Sequence, residues 1–406
     1  MRVRPESIGF TLLLGGLNAL PPLAVDMALP ALPAVARDFA ASPAAAGFTL
    51  SLFMAGHAAA QLLFGPLSDR FGRRPVLLAG CGLFTAAGAA CMAAPTLGAL
   101  IFFRLLQGAG AGATMVLAFA IVRDLFEGAA ARAKLSYVGM LLMLAPMIAP
   151  TLGAIVLAVA PWRAIYAVLT LAGLLVTAII ALGLAESHRA PDRRALAAGR
   201  LVGNFARALG SRACFGNALL NCLSFGGLFA YISASPLLLM GQLGASARLY
   251  GVLFAVTSGA IMAGAALNGR LARRHVAPGK PLGVGLGLAA ASAVALLGVT
   301  LSGHLALAAL LPLLIVNTFA FGLVAPNAAH AAIEPMPDIA GVAAAVVGFL
   351  QMFLGGALGS AVVAWLYPWL GASAITASMT GFALAALGCS AWVTRRPAYL
   401  PGVVTM

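Results

Sequence analysis

A run of about 20 apolar residues recurs twelve times along this chain, and that recurrence limits its fold more than any other feature. About 20 such residues are what an α-helix needs to cross a hydrocarbon core roughly 30 Å thick. The runs cover approximately residues 8–29, 44–65, 75–95, 97–121, 135–158 and 164–184, then 213–236, 249–269, 281–302, 305–328, 342–365 and 374–394. They are rich in Ala, Gly and Leu, too long for barrel strands, and free of the alternation that a strand with one lipid face needs. The pattern predicts an all-α integral membrane protein with twelve transmembrane helices. Composition agrees: charged residues make up 8% of the chain, against about 25% in soluble proteins. The first run follows Arg2 and Arg4 as a signal peptide would, but its length and the carboxylate of Asp26, where a cleavage site would need small residues, predict that it is retained.

Basic residues set the orientation. With the N-terminus inside, 20 of the 24 Lys and Arg fall in cytoplasmic segments. They include Arg2 and Arg4, Arg70, Arg73 and Arg74 after span 2, six arginines from Arg189 to Arg212 after span 6, and Arg395 and Arg396 at the end. Arg37, Arg163 and Arg248 fall outside, and Arg104 lies within a span. Such a bias predicts that both termini are cytoplasmic. The net charge of +14 therefore reports topology and anionic lipid rather than a nucleic-acid partner. Five cysteines, all inside spans and without a C-x-x-C pair, read as packing residues.

The longest polar stretch, residues 186–212, divides the chain into two six-span halves, 1–185 and 213–406. The segment "GPLSDRFGRRP" after span 2 has a weak echo in "GRLARRHVAP" after span 8, with Gly65 and Gly269 in corresponding places. Two related halves with a substrate site near the midplane is a transporter plan. Other classes fit less well. The stretches "QGAGAGAT" and "GVGLG" lie in apolar helices with no strand before them, so they are not dinucleotide fingerprints. There is no phosphate loop, no H-E-x-x-H, no G-x-S-x-G and no acid pair suited to hydrolysis. No catalytic residues, no metal site and no cofactor are expected, and an ion gradient is the expected energy source. A sensor would need a sizeable soluble domain, which a longest polar loop of 186–212 does not supply.

Four segments resemble one family. "GPLSDRFGRRPVLL" (65–78) resembles the signature between spans 2 and 3 of the major facilitator superfamily, and "RLLQGAGAGATMVLAFAIVRDLF" (104–126) its span-4 signature. "APMIAPTLGA" (145–154) is similar to the span-5 antiporter motif, carried here by Pro146, Pro150 and Gly153. With "VDMALPALPAVARDF" (25–39), these resemble the bicyclomycin and chloramphenicol resistance (Bcr/CflA) branch of drug:proton antiporters. The chain departs from the motif at Ala149 and Ala154, where the family usually has glycine, and Asn18 stands where some related exporters carry a second acid. The resemblance implies a multi-pass inner-membrane protein, expected as a monomer, that exports an amphiphilic antibiotic such as a phenicol or bicyclomycin in exchange for protons. Export of a sugar, amino acid or other metabolite by the same mechanism stays open.

Of the ten acids only Asp26 falls inside a span, and Arg104 is the only intramembrane base apart from histidine. Asp26 lies near the outer end of span 1, and Arg104 about 10 Å below the outer end of span 4 at 1.5 Å per residue. Drying favours the neutral acid and a nearby guanidinium favours the carboxylate. Asp26 is thus expected to carry the proton and Arg104 to orient it. The plainer alternatives are an Asp26 solvated at the interface and an Arg104 that holds backbone carbonyls. Candidate cavity residues are Asn18, Phe53, His57, Gln61, Asn221, Phe225, Tyr231, Asn317, Phe321 and Gln351, although such polar residues also serve as interhelical hydrogen-bonding groups. Gly65, Asp69, Arg70, Gly72, Arg73, Arg74, Arg123 and Asp124 form the candidate cytoplasmic gate. There the resemblance implies a charge network that holds the cytoplasmic side shut in the outward-facing state, and a simple topological anchor is the alternative.

Overall fold

The computed structural model describes residues 4–394 except 189–191, 193, 194, 196 and 304. Of the arginines that set the expected orientation, Arg2, Arg189, Arg193, Arg194, Arg395 and Arg396 lie outside the described residues. Twelve helices are long and apolar enough to cross a membrane: α1 Ile8–Asp38, α2 Pro43–Phe71, α3 Arg73–Met92, α4 Leu97–Leu125, α5 Ala133–Val159, α6 Arg163–Gly183, α7 Arg212–Gln242, α8 Ala247–Arg273, α9 Gly279–Leu301, α10 Leu307–Ile333, α11 Pro337–Leu370 and α12 Ala372–Thr394. No strand occurs among the described residues. The end of the bundle where α1 begins and α2 meets α3 is called the basic end below, and the opposite one the far end.

Several boundaries differ from the sequence reading. α1 was expected to end by residue 29, before Pro30 and Pro33. It instead tightens into a single 3-10 turn at Leu29–Ala31 and resumes over Leu32–Asp38, because proline is tolerated at the first positions of a helical turn. α11 runs well beyond 342–365 and contains a wide π-helical stretch, Gln351–Leu358. A short linker helix, Ala198–Gly210, lies in the polar stretch; its Phe205 and Ala208 pack beside the start of α11, and Arg207 pairs with Asp338 at 2.6 Å.

Within each half the helices meet backbone to backbone. A Cβ on Gly56 of α2 would lie 2.0 Å from the Leu105 carbonyl oxygen of α4, and one on Gly108 of α4 would lie 2.0 Å from that of Phe53 in α2. The second half repeats the arrangement. A Cβ on Gly264 of α8 would lie 2.2 Å from the Phe319 carbonyl oxygen of α10, and one on Gly322 would lie 2.2 Å from that of Ile261. Small residues allow this because helix association in lipid relies on close contact rather than on a hydrophobic drive.

Between the halves the contacts are uneven. One apolar cluster crosses from the N-terminal to the C-terminal half at the far end, joining Leu29 and Leu32 to Leu239, Tyr250 and Leu253. At the basic end the clusters stay within one half: Phe10, Leu77 and Ile121 in the first, Cys214, Ala332 and Val346 in the second. The helices α2 and α11 also touch across the boundary, with Ser51 Oγ and Ser360 Oγ 2.7 Å apart.

Candidate transport cavity

A cavity of about 370 Å³ lies at mid-height between the halves. Helix α1 reaches it through two consecutive prolines, Pro21 and Pro22, both in its wall. Pro21 has no amide hydrogen to give the Leu17 carbonyl, which would otherwise be left without a helical donor. Thr114 of α4 fills the place, its hydroxyl donating to the Leu17 oxygen at 2.9 Å. One turn on, the carboxylate of Asp26 lines the cavity and is 4% exposed, with no basic side chain paired to it among the described residues. Gly153 of α5 holds the helix there. A Cβ at that position would sit 2.3 Å from the Met27 carbonyl, so the glycine kept in the span-5 motif is the one that lets α5 touch α1 beside Asp26. Ala149 and Ala154, the departures, are both buried. Pro146 is in the cavity wall.

Apart from Asp26 the wall is rich in phenylalanine and methionine, with the ring of Phe225 against those of Phe229 and Phe321 and Met54, Met143, Met262 and Met352 also in the wall. Such side chains give a large, deformable apolar surface. Polar relief comes from His57, Gln351, Tyr231, Thr257, Ser258 and Thr318.

Of the ten residues expected in the cavity, Phe53, His57, Phe225, Tyr231, Phe321 and Gln351 line it. The other four do not. Asn18 donates to the Leu14 carbonyl in its own helix, and Gln61 is pressed against Gly348 of α11. Asn221 donates to Gln351 Oε1 at 3.0 Å, while Asn317 donates to Ser292 and the Ala289 carbonyl inside the second half. Of these amides, those of Asn221 and Asn317 join neighbouring helices, as polar side chains between membrane helices commonly do. The wall residues missed from sequence, Met54, Met352, Thr257 and Ser258 among them, carry no mark that separates them from lipid-facing neighbours.

The expected pairing of Asp26 with Arg104 is absent from this conformation. Arg104 is fully buried within the first half, where Nη1 donates to Gln107 Oε1 at 2.8 Å. Its guanidinium carbon stands 4.3 Å over the Phe53 ring and 5.7 Å from that of Tyr166. Comparable height in the membrane does not put two side chains on facing sides of their helices, and Arg104 turns toward α2 and α6.

At the basic end Arg73 is the centre of a network. It pairs with Asp69 at 2.5 Å and Asp124 at 2.8 Å, and donates to Ser68 Oγ at 2.6 Å. Glu186, just past α6 and missed from sequence, accepts from the amides of Arg73 and Arg74 at 2.9 and 3.1 Å. A carboxylate at a helix start satisfies amides that have no partner within the helix. Arg74 also reaches the Ala181 carbonyl at 2.7 Å. Three expected members stand aside: Arg70 lies over the ring of Phe71, Arg123 reaches only the Phe119 carbonyl of its own helix, and a Cβ on Gly65 would meet Val116 at an ordinary 4.0 Å. The network ties α2, α3, α4 and α6 to one another.

Comparison with known proteins agrees. A sequence description of the Major Facilitator Superfamily matches residues 17–360. The bicyclomycin resistance protein homolog of Haemophilus influenzae is 31% identical over 371 residues, covering 89% of this chain and 90% of that one. The multidrug resistance protein MdtL of Escherichia coli is 32% identical over 241 residues, 59% of this chain and 61% of its own. Among solved structures, a D-xylose–proton symporter superimposes with a TM-score of 0.71 at 19% identity, over 94% of this chain and 97% of that one. The partially occluded inward-open xylose transporter XylE of E. coli gives 0.73 at 15%, over 94% and 95%. The chain belongs to the major facilitator superfamily and is a multi-pass protein of the inner membrane.

Proposed function

We propose that this protein exports amphiphilic drugs in exchange for protons by alternating access. The observation that carries the reading is a single carboxylate, Asp26, set in a wall of phenylalanine and methionine between two halves. An apolar ligand gains by leaving water for that wall. A carboxylate there changes its proton occupancy with its access to water and with what lies beside it. Substrate and proton compete for one cavity, so entry of either favours departure of the other. The names of the two resistance relatives support a drug as cargo, with bicyclomycin-like and phenicol antibiotics the first compounds to try. No cofactor enters the cycle.

The basic end is taken as cytoplasmic, because the positive-inside bias favours it. Halves joined at the far end then correspond to an inward-facing state. In the opposite state the helix ends that carry Asp69, Arg73 and Asp124 meet the second half and close the cytoplasmic side, as one preformed piece. The transporter acts as a monomer, since each chain encloses its own cavity.

The test uses inside-out vesicles with an acid interior. Phenicols, bicyclomycin and neutral or cationic dyes are added, and the pH gradient is followed. Dissipation by particular compounds in wild type, and not in Asp26→Asn, is expected. A gradient that every compound leaves intact, while the same compounds still cross, would remove protons from the mechanism.

A further inference from the structure

The guanidinium of Arg104 is half used. Nη1 is bound to Gln107, while Nε and Nη2 meet no acceptor although both are buried. Nε–H and one N–H of Nη2 point from the same edge of the plane, and that edge grips a carboxylate through two parallel hydrogen bonds. The rings of Phe53 and Tyr166 lie near the guanidinium, their centroids 4.3 and 5.7 Å from its central carbon. No carboxylate pairs with Arg104 among the described residues. A charge withdrawn from water without a partner is costly, and inside a membrane such a charge usually marks a pathway or a ligand.

The Phe53 ring touches both the guanidinium and the cavity. Phe53 belongs to the cavity wall, whereas Arg104 stands behind it. His57, one turn along α2, lies near-parallel to Phe53 with centroids 6.4 Å apart and planes 19° apart. The Phe53 ring thus has both the guanidinium and the imidazole beside it.

We propose that the Nε/Nη2 edge of Arg104 is a concealed carboxylate seat, screened from the transport cavity by Phe53. The inference rests on the reading of this cavity as the transport site. The occupant has one chemistry and two possible sources: a carboxylate borne by a transported amphiphile, which extends the substrate class to acidic and zwitterionic compounds, or that of Asp26, which lines the same cavity.

The test is a fluorescence titration of the purified full-length protein in detergent with anthracenecarboxylate and its uncharged analogue anthracenemethanol. Phe53→Ala should tighten the carboxylate about tenfold relative to the alcohol, the scale of a charge-assisted hydrogen bond. Adding Arg104→Lys keeps the charge but removes the fork, and should abolish that preference in protein whose fold is verified by gel filtration and circular dichroism. Adding Asp26→Asn instead separates the sources. Further tightening for the carboxylate alone identifies Asp26 as the competing occupant, and unchanged affinity assigns the seat to the transported molecule. Equal tightening for both dyes, or a preference that survives Arg104→Lys, overturns the seat. If Phe53→Ala does not fold, Phe53→Leu serves the same comparison. Drug-driven proton exchange in wild-type vesicles without a carboxylate preference in Phe53→Ala would sink the seat alone and leave the antiport reading standing.

Discussion

Glu186 caps the start of α3 by accepting from the backbone amides of Arg73 and Arg74, 2.9 and 3.1 Å away. The residue before them, Gly72, has φ of +97°, and a Cβ there would lie 2.6 Å from Glu186 Oε2. Gly72→Ala therefore meets both a disfavoured backbone and a displaced carboxylate, and should cost about 1–3 kcal/mol. Glu186→Ala should cost about 1–2 kcal/mol as a lost cap. Thermal unfolding of the purified variants checks both, and an unchanged midpoint for Glu186→Ala would mean that solvent replaces the cap.

Asp26→Asn should abolish uphill export while leaving equilibrium drug binding within a few fold. The side chain keeps its size and loses the proton site, and the far-end apolar cluster does not depend on its charge. Efflux from energised cells beside drug binding in detergent measures the two separately. Full uphill export by the variant would assign coupling to another group, with His57 in the same wall the next to test.

Gly108→Ala should be far worse than Gly287→Ala. The first places a methyl 2.0 Å from the Phe53 carbonyl, and nothing lies within 4 Å of the second. Overpacking costs about 1–3 kcal/mol and occasionally more, whereas Gly287→Ala in an open helical position should gain a few tenths to about 1 kcal/mol. Membrane yield and thermal stability compared side by side give the answer. Equal behaviour of the two variants would mean that α2 and α4 separate easily.

Ser51→Cys with Ser360→Cys should crosslink under mild oxidation, since the native hydroxyl oxygens are 2.7 Å apart. The bond would fasten α2 to α11, and transport should stop until reductant is added. The five native cysteines are buried, so they should compete little. Undiminished transport by the crosslinked protein would show that this seam stays closed throughout the cycle.

Twelve helices and the family were legible because a span advertises itself by length and because "GPLSDRFGRRP" is specific. Charges inside the membrane were legible too, being few. Which side of a helix each faces was not. In a soluble helix the polar face reveals the buried one, but here lipid and protein interior are both apolar, so Asn317 and Gln351 looked alike and only one reached the cavity. For the same reason Asp26 and Arg104 could be put at similar depth without a hint that Phe53 and Tyr166 claim the guanidinium. Glu186 was hidden differently: its role depends on where α6 ends in space, 112 residues from Arg74.

The reciprocal glycine contacts between α2 and α4, and between α8 and α10, hold each half together without using the side chains that line the cavity. Mechanics and taste are thereby written in different atoms, the backbone for one and the wall side chains for the other. A mutation that swaps Met352 or Phe321 alters what fits and leaves the levers as they were. Selection can retune such a pump to a new antibiotic one wall residue at a time, and each intermediate still runs.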